Sequence, residues 1–185
     1  MARLPYVDPA QAPEAVRDVL ANLAPLNIFR MVAHAESSVR RFVQFGGTIL
    51  GQQQLDGKLR ELAILRVAQL SKARYEWVQH VVIAKALGIS DAQIEAIERG
   101  GVAAPHFDAR ERLVLRFTDE AVRDVRVSDS TFAEAAAAFP PREIVELILA
   151  IGFYMMVARL LETTGVDLEE KVGTEMADRL ASRKR

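Results

Sequence analysis

The chain has 185 residues, half of them hydrophobic and about a quarter charged, with a formal net charge of -1 and no cysteine. That length suits one domain with a real core, and the balanced charge gives no reason to expect nucleic acid or an acidic membrane as partner. Without cysteine there are no disulfides, no thiolate metal sites and no thiol nucleophile.

Almost every segment has helical period. The N-terminal MARLPYVDPAQAP is broken by prolines and lacks the apolar stretch of a signal peptide, so a cytoplasmic protein is the expectation. A first helix over 12–23 puts Val16, Val19, Leu20 and Leu23 on one face, and Pro25 stops it. An apolar turn around 28–32 leads to a helix through Val39, Phe42, Val43 and Phe45. Asp56 is a candidate N-cap for LRELAILRVAQL, which is apolar in too many directions for a surface helix and should be buried on most sides. The next helix, Arg74 to Leu87, ends at Gly88. Ser90 and Asp108 open two further helices with capping-box spacing, and Ser128 caps an alanine-rich one. Pro141 then starts a long helix that runs to Gly165. Its apolar run, Leu147 to Ala158, is shorter than the ~18 residues of a membrane span.

No segment alternates with the period of a strand, which predicts a single-domain all-α bundle. The expected organisation is an N-terminal helical extension over 1–28, a helical domain over 29–170 and a tail over 171–185. The helices at 59–70 and 147–158 hold more apolar surface than a small monomer easily hides. Self-association and a shared monomer core are equally good accounts of that.

The candidate chemistry lies in RYEWVQH, residues 74–80. Glu76 and His80 stand four apart, one turn along the same helix face. A carboxylate beside an imidazole orients the ring for accepting and releasing a proton near neutral pH. His80 is thus the candidate acid or base and Glu76 its orienting carboxylate. Glu61, nineteen residues before His80, sits among Leu62, Ile64 and Leu65, where a carboxylate is costly unless satisfied. An antiparallel helix pair turning at 71–73 would carry it toward His80. Spacing alone favours the plainer reading, a solvent-facing Glu76–His80 pair with Glu61 bonded to Arg60, Arg66 or Arg110, because E-x-x-x-H is common in helices. Trp77 and Tyr75 are candidate pocket wall, and Tyr154 could reach a pocket with its hydroxyl or serve as a core aromatic. His34 and His106 read as capping or surface residues. The E-x-x-H pairs of bundle metal sites are absent, so no metal is expected.

The order Glu61, Glu76, His80 within ELAILRVAQLSKARYEWVQHVVIAKALGIS, with the later GFYMMVARLLETTGVDLEE, resembles the carboxymuconolactone decarboxylase family, which includes the alkylhydroperoxidase D-like proteins. The resemblance spans about 29–170. In the peroxidase branch the motif runs glutamate, C-x-x-C, histidine; here Ala73 and Glu76 occupy the two cysteine positions, while Glu61 and His80 match the relay's glutamate and histidine. The resemblance therefore implies an alkylhydroperoxidase D-like fold assembled as trimers or hexamers, with no thiol peroxidase activity. It further implies a cofactor-independent, lyase-like acid–base enzyme for a small carboxylated or lactone-type metabolite. His80, Glu76 and Glu61 would be catalytic, with Trp77 and Tyr154 against the substrate. A non-catalytic oligomeric small-molecule-binding protein on the same scaffold is the alternative.

Overall fold

The computed structural model describes residues 1–169, and among them the chain is all α, with nine helices and no strand. The expected tail at 171–185 lies outside the described residues. The helices are α1 (Glu14–Leu20), α2 (Asn27–Val32), α3 (Glu36–Gly51), α4 (Gly57–Ser71), α5 (Arg74–Ala86), α6 (Asp91–Glu98), α7 (Ala109–Asp124), α8 (Asp129–Ala138) and α9 (Pro141–Thr164).

α4 is the axis of the molecule. Every residue from Leu59 to Ala68 is buried, because α9, α7 and α5 pack on different sides of it. That run contains three charged side chains, Arg60, Glu61 and Arg66, and burial of a charge is tolerable only with a partner. Arg66 forks onto Asp119 of α7 and also donates to Gln69 Oε1 at 2.8 Å. Arg60 and Glu61 form part of the site described below.

The capping chemistry follows the sequence. Asp56 accepts from the backbone of Lys58 and Leu59, and Ser90 with Gln93 and Asp108 with Glu111 complete reciprocal capping boxes. Ser128 accepts from Thr131 N, and Pro141 is the first residue of α9. Two expectations shift near the N-terminus. The first helix is shorter than 12–23, closing at Leu20 before a turn, and the apolar segment at 28–32 is itself the short helix α2. α2 forms because Asn27 N at its start finds the carboxylate of Glu169, and Ile28, Met31 and Val32 point into the core.

A two-residue turn, Lys72 and Ala73, joins α4 to α5. Lys72 takes the left-handed conformation (φ +56°), and the amide of Ala73 bonds back to Ala68 O at 2.8 Å. The two helices therefore run antiparallel and side by side. α9 is apolar and long enough to cross a bilayer by length and composition, yet here it is a core helix whose inner face, from Ile144 to Leu161, packs on α4, α7, α3 and α5. Glu146 on α9 accepts the amides of Gln54 and Leu55 at 2.7 and 2.8 Å and so pins the connection between α3 and α4. The N-terminal residues are tied to the end of α9: Arg3 N donates to Thr164 O, and Tyr6 exchanges hydrogen bonds with Asp167.

Candidate functional site

The α4–α5 hairpin brings Glu61 against His80. Glu61 Oε2 lies 2.7 Å from His80 Nδ1, and Arg60 Nε donates to the other oxygen at 3.3 Å. Glu61 is 0 % exposed and His80 6 %, so water does not compete for these bonds. With an ionised carboxylate as acceptor, Nδ1 carries the proton and Nε2 keeps its lone pair. Nε2 has no hydrogen-bond partner among the described residues. The edge-to-face contact of the ring with Tyr154, centroids 4.6 Å apart and planes at 84°, fixes its tilt.

Glu76 does not orient the imidazole, contrary to the expectation from spacing. It shares a helix face with His80, but the ring turns its Nδ1 toward α4, and Glu61 takes that position. Glu76 is instead 2 % exposed, with neither carboxylate oxygen bonded to any described group. Burial pushes its pKa well up, and the charges of Glu162 and Glu61 add to that. Burial therefore favours its neutral, protonated form, a hydrogen-bond donor with no acceptor among the described residues. An orphan of that kind costs about 1–3 kcal/mol, which makes it the least expected residue of the core on stability grounds.

Glu76 and His80 both line a cavity of about 210 Å³. Its remaining wall is apolar. Leu26 and Phe29 enclose it from the N-terminal segment, Phe42 and Leu50 from α3, and Val157 and Leu161 from α9. Gly46 and Gly47 also line it. A Cβ at Gly46 would come within 3.1 Å of the Phe153 ring, whereas one at Gly47 would meet nothing within 4 Å. Tyr75 and Gln79 contribute polar atoms that are already engaged: Tyr75 OH donates to Glu169 at 2.6 Å and Gln79 Nε2 donates to the same carboxylate at 2.9 Å. Burial, followed by that hydrogen bond to Glu169, pushes the Tyr75 phenol far up.

Tyr154 lines the cavity, as the substrate-binding expectation requires, and burial with the nearby Glu61 and Glu76 raises its phenol. Trp77 does not. It is half-buried and packs on the hydrophobic core outside the cavity wall, because one residue beyond Glu76 a helix points about 100° away. His34 is exposed, with Nε2 at 2.7 Å from Pro5 O, and His106 is exposed. Arg159 is exposed and donates to Met155 O, and Arg110 pairs with Glu143. Among the described residues no arginine or lysine lines the cavity. Among the described residues no three histidine, aspartate or glutamate side chains are grouped to hold a metal ion.

The family model for the carboxymuconolactone decarboxylase family matches residues 37–120, a stretch that contains Glu61, Glu76 and His80. Over those residues, a little under half of the chain, the sequence is similar to that family. Among solved structures, it is similar to an uncharacterized peroxidase-related protein with an alkylhydroperoxidase core from Ralstonia eutropha, with a TM-score of 0.80 at 17 % identity, covering 91 % of this chain and 93 % of that one. A peroxidase-related protein from Silicibacter sp. aligns with a TM-score of 0.77 at 21 % identity over 91 % and 92 % of the two chains. A protein of unknown function from Agrobacterium tumefaciens aligns at 0.69 and 19 % identity over 75 % and 96 %. No curated protein matches the sequence. At such identities the likeness is one of fold, and it confirms the alkylhydroperoxidase D-like bundle expected from the sequence. Here the two positions that the resemblance aligns with the cysteines of the peroxidase branch are Ala73 and Glu76, and the chain has no thiol to cycle.

Proposed function

We propose that this chain is a cofactor-independent acid–base enzyme, lyase-like in chemistry, that moves a proton on a small carbonyl-bearing substrate held in the apolar cavity. The observation that carries the reading is the Glu61–His80 pair, 2.7 Å apart and buried, which leaves Nε2 unbonded on a residue that lines the cavity beside Glu76. Nε2 takes a proton from the carbon next to the carbonyl. The imidazolium so formed is balanced by Glu61, which holds its Nδ1–H throughout. The neutral carboxyl of Glu76 donates a hydrogen bond to the substrate oxygen, where negative charge develops. Run in reverse, the same groups return the proton from Nε2 to the enolate carbon. General acid–base help of this sort is worth about 10² to 10⁴ in rate.

The test is deuterium incorporation. Small lactones and ketones incubated with the protein in D₂O should exchange the hydrogens next to the carbonyl, read by NMR, and His80→Ala should abolish the exchange. Exchange that survives in His80→Ala at the original rate would overturn the assignment. Saturable binding of the same compounds without any exchange would move the reading to a binding protein on this scaffold.

We further propose that copies of this chain associate through the outer face of α9. Val145, Ile148, Leu149 and Met156 are each 43–54 % exposed along one stripe of that helix, interrupted only by Gly152, which supports self-association as the way to cover it.

A further inference from the structure

The polar groups of the cavity specify the ligand more narrowly than a carboxylated or lactone-type metabolite. We infer that the cavity takes an uncharged, largely apolar molecule with a single hydrogen-bond-accepting group at one end, a lactone, ester or ketone oxygen bound at Glu76 and His80, and that it rejects carboxylates. This rests on the acid–base reading for the role of the two residues but makes a separate statement about charge and shape.

Three observations converge on it. The first is that, among the described residues, every basic side chain is elsewhere. Arg60 is committed to Glu61 and is not part of the wall, and no other arginine or lysine among the described residues lines it. A carboxylate entering here would lose its hydration, meet no cation and lie near the buried Glu61, a cost that an apolar wall cannot offset. The second is the orphaned carboxyl of Glu76, with both oxygens buried and unpartnered on the cavity wall. Tyr75 and Gln79 are held by Glu169, so Glu76, His80 and the Tyr154 phenol, whose ring packs against His80, form the polar part of an otherwise apolar chamber. A ligand with one acceptor satisfies Glu76, while a further polar group set against the apolar wall of Leu26, Phe29 and Leu50 would have no partner. The third is size. About 210 Å³ is below the ~300–1,000 Å³ of pockets for drug-sized ligands. Gly47, exposed at the rim and with open space beyond its Cα, marks where such a molecule enters.

An ammonium ligand would also meet Glu76, with the carboxyl ionised, but it would have to be stripped of water against aromatic and aliphatic side chains on every other side. The neutral acceptor needs no charge transfer to bind.

The test compares three eight-carbon probes, γ-octalactone, octanoate and octylamine, by calorimetry on the full chain. The lactone should bind saturably, at least tenfold more tightly than octanoate or octylamine. Gly47→Leu, which fills the rim without a clash at Cβ, should weaken the lactone at least tenfold while the Nδ1 proton resonance of His80 stays in place. Glu76→Leu should weaken it comparably by removing the donor, and serves if the first variant misfolds. Octanoate or octylamine binding as tightly as the lactone overturns the inference, as does lactone affinity untouched by both variants or no binding of the lactone. Deuterium exchange separates the two readings. A lactone that binds as described but does not exchange sinks the enzyme and leaves the pocket assignment standing, and octanoate that binds and exchanges does the reverse.

Discussion

Glu61 and His80 lie nineteen residues apart in sequence and 2.7 Å apart in space, joined across the α4–α5 hairpin in a volume that water does not reach. The carboxylate is held from its other side by Arg60, so the imidazole is oriented by a group that cannot itself swing away.

Glu61→Gln keeps the side-chain volume but removes the charge that balances an imidazolium. Turnover should fall by about 10²-fold or more, in line with loss of general acid–base help. The downfield Nδ1 proton of His80 in the NMR spectrum should move upfield. The variant also leaves Arg60 buried without its counter-ion, so a loss of about 3–5 kcal/mol in urea unfolding should accompany it.

Glu76 makes a stability prediction of opposite sign. Its pKa is raised in the folded protein by burial first, then by Glu162 and Glu61. Between its ordinary carboxyl value and that raised value, the folded state holds a proton that the unfolded state has released. Stability is therefore lost as pH climbs through this window, by up to about 1.4 kcal/mol per pH unit from this group. Glu76→Leu should remove that slope and raise stability at pH 8 by about 1–3 kcal/mol, since no unsatisfied carboxyl remains. Unfolding curves at pH 5 and pH 8 measure both effects. A more stable but inactive variant is the pattern of a residue kept for chemistry.

Glu169 gathers three donors, Asn27 N, Tyr75 OH and Gln79 Nε2, from α2 and α5. Glu169→Ala should leave these groups to find water and loosen the wall containing Leu26 and Phe29. The expected cost is about 1–3 kcal/mol, with faster amide hydrogen exchange confined to 26–30 and 75–79. Exchange that accelerates uniformly along the chain would instead mark global destabilisation.

The outer stripe of α9 gives the last test. Ile148→Asp together with Leu149→Asp places two charges where a second copy would bury them. Sedimentation should show the assembled species reduced to one chain, with helicity unchanged because both side chains point away from the monomer core.

Much of this fold was legible because the signals are local. Asp56, Ser90 and Asp108 cap where their side chains predict, and the all-round apolar pattern of α4 correctly announced its central position. The meeting of Glu61 with His80 was legible because a buried carboxylate needs a partner and a tight turn at 71–73 limits where one can be. Less was readable wherever side-chain direction decides. Glu76 and Glu61 are both a plausible reach from the imidazole, and only the rotation of the ring selects one. Trp77 drew attention by its type, but its position on the helix sends it away from the cavity. The chamber itself owes its space partly to Gly46 and Gly47, and room left by a missing side chain has no pattern to announce it. Glu169 reaches the site from beyond α9, 94 and 90 residues from its partners on α5.

The single left-handed residue at Lys72 has an evolutionary corollary. Adding or deleting one residue in that elbow would rotate everything after it by about 100° about the α5 axis, carrying the imidazole off its carboxylate. Length at this corner is therefore frozen even though the lysine is on the surface, and its side chain is free to drift as long as the backbone can still bend the same way.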